Sequence, residues 1–265
     1  MNNKEQKKIE RYSREGMILK YKNDKRYNAD PDNFSQHGSN RYSWRHHHGL
    51  YFDLRRIKEF VQIINRNKIT FKNKKVLDLG THHGLFATML SYLKRDSHNV
   101  CGCDFITQYI DVAKRTNPGI NFIQADLYDL PYKEETFDFV LSNFVFNSIP
   151  HKDQIKIGEN VSKIVKTNGY ILFFDLYDTK WIDFINWVLF FKNEKNKRTP
   201  DFNRKKIKKM FPKFKILEEK SIINVLRLHL LRWGFSYEFV TWIDRFLPKW
   251  GYVCLLQKCD LFQDH

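Results

Sequence analysis

The stretch Val76-Leu77-Asp78-Leu79-Gly80-Thr81-His82-His83-Gly84 limits the folds open to this chain more than any other. A short apolar run carries one acid, meets a turn punctuated by glycine, and passes into Leu85-Phe86-Ala87-Thr88-Met89-Leu90-Ser91-Tyr92-Leu93, where apolar residues recur at helical spacing. The pattern predicts a buried strand, a tight turn and a helix. Gly80 and Gly84 lack a Cβ, so the backbone can turn sharply there and approach a ligand closely. The first N–H groups of the following helix offer a site for a carboxylate or phosphate. By itself such a unit occurs in many nucleotide binders.

The next segments narrow the choice. Asn99-Val100-Cys101-Gly102-Cys103-Asp104 reads as a second strand ending in an acid. An acid at the end of the second strand of a βαβ unit is placed to accept hydrogen bonds from ribose hydroxyls. Asn121-Phe122-Ile123-Gln124-Ala125-Asp126-Leu127 reads as a short third strand with another acid at its end, and Phe137-Asp138-Phe139-Val140-Leu141-Ser142-Asn143 as a fourth. Thr107–Arg115 and Asp153–Val165 are helical by spacing, and Gly169–Leu176 is a fifth strand with Asp175 near its carboxyl end.

With these stretches in this order, the chain resembles the class I S-adenosylmethionine-dependent methyltransferases. The matching parts are the glycine loop Val76–Gly84, Asp104, Ala125-Asp126-Leu127, Thr136–Val140, and the turn Lys166-Thr167-Asn168-Gly169 into the fifth strand. The likeness covers roughly residues 55–175, with a looser echo to residue 258. It implies an α/β fold: a doubly wound, mostly parallel seven-stranded sheet with an antiparallel last hairpin and a helical and loop cap over the acceptor side. It also implies S-adenosylmethionine as cofactor and S-adenosylhomocysteine as product. Gly80 and Gly84 would hold the methionine end, Asp104 the ribose and Asp126 the adenine, with Asp78, His82, Leu127 and Asn143 completing the cofactor-binding set. The family loop usually has three glycines, and His82 stands at the middle one here. Either His82 takes the left-handed conformation, which His tolerates better than most residues, or the loop is shifted and His82 or His83 faces the acceptor.

A chain of 265 residues can bury one large α/β core. The longest apolar run, around Trp181–Phe191, is too short to span a bilayer and contains Asp183 and Asn186. The first eight residues are polar and no hydrophobic segment follows, unlike a secretory signal. Four cysteines do not make a disulfide framework in a chain this long. Cys101 and Cys103 would share one face of the second strand as small core residues, which fits a cytoplasmic location. The formal charge of +16 favours an anionic partner: a phosphorylated metabolite, a nucleic acid or an anionic membrane surface.

The chain divides into an N-terminal lid and a His- and Arg-rich loop over residues 1–56, then a methyltransferase domain over 57–265 with cap insertions at about 177–212 and 221–250. The loop reading rests on the Pro, Gly, Asn and Ser content of residues 28–56. Within it, Arg41, Arg45, Arg55 and Arg56 can grip phosphate or carboxylate. Tyr42, Trp44 and Tyr51 can stack on a ring. The run His46-His47-His48 can supply a base near neutral pH. Adjacent residues rarely converge on one ion, and no metal site is expected. Ile57–Ile69 reads as an amphipathic helix packing on the sheet.

The sulfonium electrophile that the resemblance implies leaves the protein mainly to align the acceptor and to remove a proton where the acceptor is a hydroxyl. His47, His48 and His151 are the candidate bases, and Arg41, Trp44, Arg45 and His46 the candidate acceptor contacts. The expected acceptor is an oxygen, or second a nitrogen, of a small anionic metabolite. Three other readings stay open: an RNA methyltransferase, a lipid or quinone methyltransferase touching the membrane surface through Trp181 and Trp187, and a non-catalytic scaffold in which His82 disables the loop. The Asn-Pro-Pro-Tyr signature of amino-directed nucleic-acid methyltransferases is absent.

Overall fold

The computed structural model describes residues 47–149, 151–176, 202–222, 230, 233–243, 246 and 251–259. The lid, Arg41, Trp44, Arg45, His46 and the aromatic segment Trp181–Phe191 lie outside the described residues.

Helix α1 (His47–Arg66) leads into strand β1 (Val76–Leu79). Then come α2 (Leu85–Lys94), β2 (Val100–Asp104), α3 (Thr107–Thr116) and β3 (Asn121–Gln124). Strand β4 (Phe137–Asn143) is followed by a 3₁₀ turn, Phe146–Ser148, then α4 (Gln154–Ile164) and β5 (Val165–Leu176). The chain closes with α5 (Arg204–Met210), β6 (Phe214–Ile222), α6 (Tyr237–Ile243) and β7 (Gly251–Lys258).

The seven strands form one sheet in the order β3-β2-β1-β4-β5-β7-β6. The first five are parallel, and β7 runs antiparallel between β5 and β6. This is the sheet that the resemblance implies. Each central strand sends alternate residues to opposite faces. Leu77, Leu79, Val140, Ile171 and Phe173 join one apolar layer, closed by Ile157 and Val161 of α4, Ile207 and Met210 of α5, and Phe202 and Phe211. Val76, Phe139, Leu141, Leu172 and Phe174 join the other, closed by Phe60 and Ile63 of α1, Phe86 and Leu90 of α2, and Ile110 of α3. Cys101 and Cys103 lie in the same layer, as strand alternation requires.

Three expectations change. Residues 47–56 are the first half of α1 and not loop, and the helix ends at Arg66, short of Ile69. His47, His48 and Gly49 give little helix signal by type. Packing decides there: Tyr51 and Phe52 are buried, and Phe52 stacks on Phe144 with ring centroids 5.6 Å apart. The helix therefore crosses the expected boundary at residue 56. The expected insertion up to residue 212 likewise includes Phe202, Ile207, Met210 and Phe211, all of which lie in the core.

Because β1 to β5 are parallel, their carboxyl ends share one edge. Register ties the ends into rows. Leu79 pairs with Cys103 on one side and Ser142 on the other, Asp104 pairs with Gln124, and Asn143 with Phe174. The N-terminal half of α1 reaches this same edge, since Phe52 meets Phe144 just past β4.

Candidate functional site

The site is built along that edge, beginning with the turn after β1. Gly80 and Gly84 have φ of 69° and 85°, and His82 between them has φ of 52°. The middle loop position is therefore left-handed, and His82 occupies it in a region that non-glycine residues seldom adopt. A Cβ at Gly80 would stand 2.5 Å from Val145 Cγ2, and one at Gly84 would stand 2.9 Å from Phe122 Cζ. The loop is held from below. Thr81 N–H donates to the Cys103 carbonyl at 2.9 Å, and Gly84 N–H to the Thr81 carbonyl at 2.9 Å.

Asp78 faces inward beneath this loop and is 1% exposed. Thr81 Oγ1 donates to it at 2.6 Å. Burial pushes the Asp78 carboxyl up to about pKa 7, against the lowering effect of the Thr81 hydroxyl. Expected as a cofactor contact, Asp78 here shapes the turn.

Asp104 ends β2 and is half-buried. Its Oδ2 accepts the His82 N–H at 3.0 Å and its Oδ1 the Ile106 N–H at 2.9 Å. Burial raises its pKa to about 6, and those N–H donors hold it down from going further. One carboxylate thus fixes the glycine loop and remains a strong acceptor at the edge.

The two loop histidines gather on α3. The His82 ring lies 3.9 Å from both the His83 and Tyr109 rings, and His83 lies 5.0 Å from Tyr109. His82 keeps an exposed edge, yet the protein crowding it lowers its pKa well below the usual value, with His83 adding to the effect. Desolvation lowers His83 to about pKa 4. Both rings are therefore neutral near pH 7. They sit on the β2 side of the loop, with Tyr109, a contact that the sequence pattern did not single out.

Past β3, Asp126 is 2% exposed, and its Oδ1 accepts the Tyr128 N–H at 2.9 Å. Leu127 is half-buried, and its carbonyl accepts from Asn160 Nδ2 at 3.4 Å. Past β4, Asn143 Oδ1 accepts from Arg56 Nη1 at 2.8 Å. The Asn143 amide nitrogen has no hydrogen bond among the described residues and is a donor at the edge. Asp175, fully buried at the end of β5, accepts the Asn147 N–H at 3.0 Å.

Arg56 corrects an expectation. It grips no ligand from a loop. It is 6% exposed, ion-paired with Asp53, and its guanidinium carbon lies 4.4 Å from the Phe52 ring centre and 5.0 Å from that of Phe144. It ties α1 to the end of β4. Arg55, one residue earlier, points into a different space. With Leu50, Tyr51, Leu54, Lys58, Gly234, Phe235 and Tyr237 it lines a cavity of about 550 Å³ between α1 and the segment before α6. Arg55 Nε is buried there with no hydrogen-bond partner.

Of the candidate bases, His47 and His48 begin α1, one turn before Tyr51 and Phe52. His151 is exposed, with Nδ1 3.1 Å from Lys206 Nζ of α5. The described residues include no group of three His, Cys, Asp or Glu side chains able to hold a metal ion. None of their helices is long and apolar enough to cross a membrane.

Residues 77–173 match the family described as methyltransferase domain. They run from β1 through β5 and so take in the glycine loop, Asp104, Asp126 and Asn143. Over that stretch the chain carries a methyltransferase domain. Sequence relatives of this domain include a phthiotriol/phenolphthiotriol dimycocerosates methyltransferase of Mycobacterium ulcerans, 30% identical over 112 residues, or 41% of this chain and 40% of that protein. An arsenite methyltransferase of Mus musculus is 28% identical over 120 residues, 40% of this chain and 31% of that protein. A fatty-acid O-methyltransferase of Mycolicibacterium smegmatis is 29% identical over 106 residues, 39% of this chain and 38% of that protein. The chain thus matches 40% or less of the length of these three relatives.

Solved structures share the fold at low identity. Geranyl diphosphate C-methyltransferase from Streptomyces coelicolor has a TM-score of 0.55 at 11% identity, covering 76% of this chain and 77% of that one. A cyclase of the 4+2 type has a TM-score of 0.54 at 12% identity, covering 77% of this chain and 80% of that one. The methyltransferase domain therefore sits on a fold that also carries other chemistry, and its activity has to be argued from its residues.

Proposed function

We propose that the protein transfers a methyl group from S-adenosylmethionine to an oxygen, or second a nitrogen, of a small anionic acceptor. The observation that carries the reading is the row along the carboxyl edge: a left-handed glycine loop, Asp104 as a half-buried acceptor beside it, and Asn143 with an uncommitted amide nitrogen. Strands β2 and β4 flank β1, so Asp104 and Asn143 stand about 10 Å apart, two strand spacings.

The residues present fit the cofactor. A side chain at Gly80 would collide with Val145, so the turn needs glycine there to pack against the segment after β4. Asp104 supplies an acceptor for ribose hydroxyls, and Asn143 a donor near the methionine end. His82, neutral and left-handed, keeps the loop geometry without glycine, which counts against the scaffold reading. When bound, S-adenosylmethionine supplies an electrophilic methyl carbon on its sulfonium. The chain's own part is alignment and exclusion of water. Arg56 and Asp53 lock α1 against β4, which fixes one wall of the cleft. Arg55 and Lys58 offer positive charge to an anionic acceptor in the cavity lined also by Leu50, Tyr51 and Leu54. His47, His48 and His151 remain the proposed bases for a hydroxyl acceptor, and a lowered rate with unchanged acceptor affinity in one alanine variant would identify which acts.

The fatty-acid O-methyltransferase among the relatives supports an acceptor with both a charge and an apolar body. Label transfer from methyl-labelled S-adenosylmethionine to fatty acids, phosphorylated metabolites and bulk tRNA tests this. The expected result is transfer to a carboxylate- or phosphate-bearing molecule, with Arg55→Ala raising its KM about tenfold and leaving the cofactor KM unchanged. Transfer confined to uncharged acceptors, or to tRNA, would contradict it.

A further inference from the structure

Helix α6 is built the wrong way out for a core helix. Ser236 starts it, its Oγ accepting the Phe239 N–H at 3.2 Å and its carbonyl the Val240 N–H at 3.0 Å. Of its seven residues only Val240 is buried. The aromatic residues face solvent instead: Trp233 is 55% exposed, Phe239 40%, Trp242 57% and Phe246 73%. They are also continuous. Phe235 stacks on Phe239 at 5.3 Å, Phe239 meets Trp242 at 6.2 Å, and Trp242 meets Phe246 at 5.7 Å. The spacing of residues 235, 239, 242 and 246 is one helical stripe. A monomeric protein seldom leaves an aromatic stripe of this size in water without a use for it.

The cations beside Phe235, and the charge of the segment's sequence, indicate what covers the stripe. Phe235, at its start, shares the wall of the cavity with Arg55 and Lys58, and Leu54 beside them is 49% exposed. The sequence of the same segment carries Arg232, Arg245 and Lys249, against Glu238 and Asp244, in a chain of formal charge +16. Exposed aromatic residues beside the cations Arg55 and Lys58 suit the boundary between lipid headgroups and acyl chains, where Trp and Phe insert and cations meet anionic headgroups. A second copy of this cationic chain would bring its own positive charge against Arg55 and Lys58.

We infer that the stripe Phe235–Phe239–Trp242–Phe246 is a docking surface for an anionic lipid bilayer. It would set the mouth of the Arg55 cavity against the membrane. The inference rests on the surface and not on the choice of acceptor, so it stands or falls apart from the catalytic reading. It also moves the expected membrane contact from Trp181 and Trp187, which lie outside the described residues, to the C-terminal segment.

The full chain is to be sedimented with vesicles of phosphatidylcholine alone and of phosphatidylcholine with phosphatidylglycerol. The expected result is partition onto the anionic vesicles, weakened by added salt, and weaker by about tenfold or more in the Trp242→Ala/Phe246→Ala variant. Trp242→Phe should retain most of the partition. S-adenosylhomocysteine binding and the thermal midpoint, measured on the same variants, separate a lost surface from a lost fold. Wild-type protein that stays in the supernatant with both vesicles overturns the inference. So does an alanine variant that partitions like wild type, or one that only dissociates a dimer.

Discussion

Asp104 gathers more of the site's electrostatics than any other described residue. Its two oxygens accept the His82 and Ile106 N–H groups, and burial lifts its pKa to about 6. Ribose hydroxyls donate best to the ionised form, so ligand binding favours loss of the proton. The sign follows: affinity for S-adenosylhomocysteine is full above about pH 7 and falls as pH drops through about 6, by at most about tenfold per unit. Calorimetric titrations at about pH 5 and about pH 7.5 should show that slope, and Asp104→Asn should remove it. Gly80 is the second sensitive position. Its φ of 69°, and the 2.5 Å that would separate an added Cβ from Val145, leave no room for alanine. Gly80→Ala should cost about 2 kcal/mol or more in urea unfolding, whereas an exposed alanine substitution would cost little. At this scale the sequence located the left-handed turn at Gly80 and Gly84 and the acid Asp104 at the end of β2, because backbone freedom and strand position are local properties. It held no sign of the Asp78–Thr81 hydrogen bond or of the Arg56–Asn143 hydrogen bond, which depend on how the elements pack.

Helix α1 shows why such residues are hard to read from a pattern. Its first ten residues include three types that favour turns or stay neutral in helices, so local propensity argued for loop. Tertiary contacts decide otherwise. Phe52 stacks on Phe144, Arg56 bonds Asn143, and Glu59, 1% exposed, pairs with Lys220 of β6 at 3.0 Å. These partners lie far along the chain and leave no local trace. The Arg56–Asp53 pair is buried, so removing the cation takes an ion-pair partner from a buried carboxylate. Arg56→Met should destabilise the protein by about 3 kcal/mol in urea unfolding. Pairing it with Asp53→Asn should restore part of that loss. A single variant as stable as wild type would show that α1 is held by its apolar face alone.

The whole molecule follows from strand order. Five parallel strands bring the ends of β1, β2 and β4 to one edge, and the β5-β7-β6 hairpin closes the sheet behind them. That arrangement was legible because β1, β2 and β4 are short, largely buried runs, each followed by a turn. The cavity lined by Arg55 and Phe235 was not, since its two walls are separated by most of the domain in sequence. The central claim is that this edge binds S-adenosylmethionine despite His82 in the glycine loop. Titration of the purified chain with S-adenosylhomocysteine by calorimetry, beside Asp104→Ala, tests it most directly. Micromolar binding in the wild type that is lost in the variant is the predicted result; no binding by the wild type, or equal binding by both, would contradict the account.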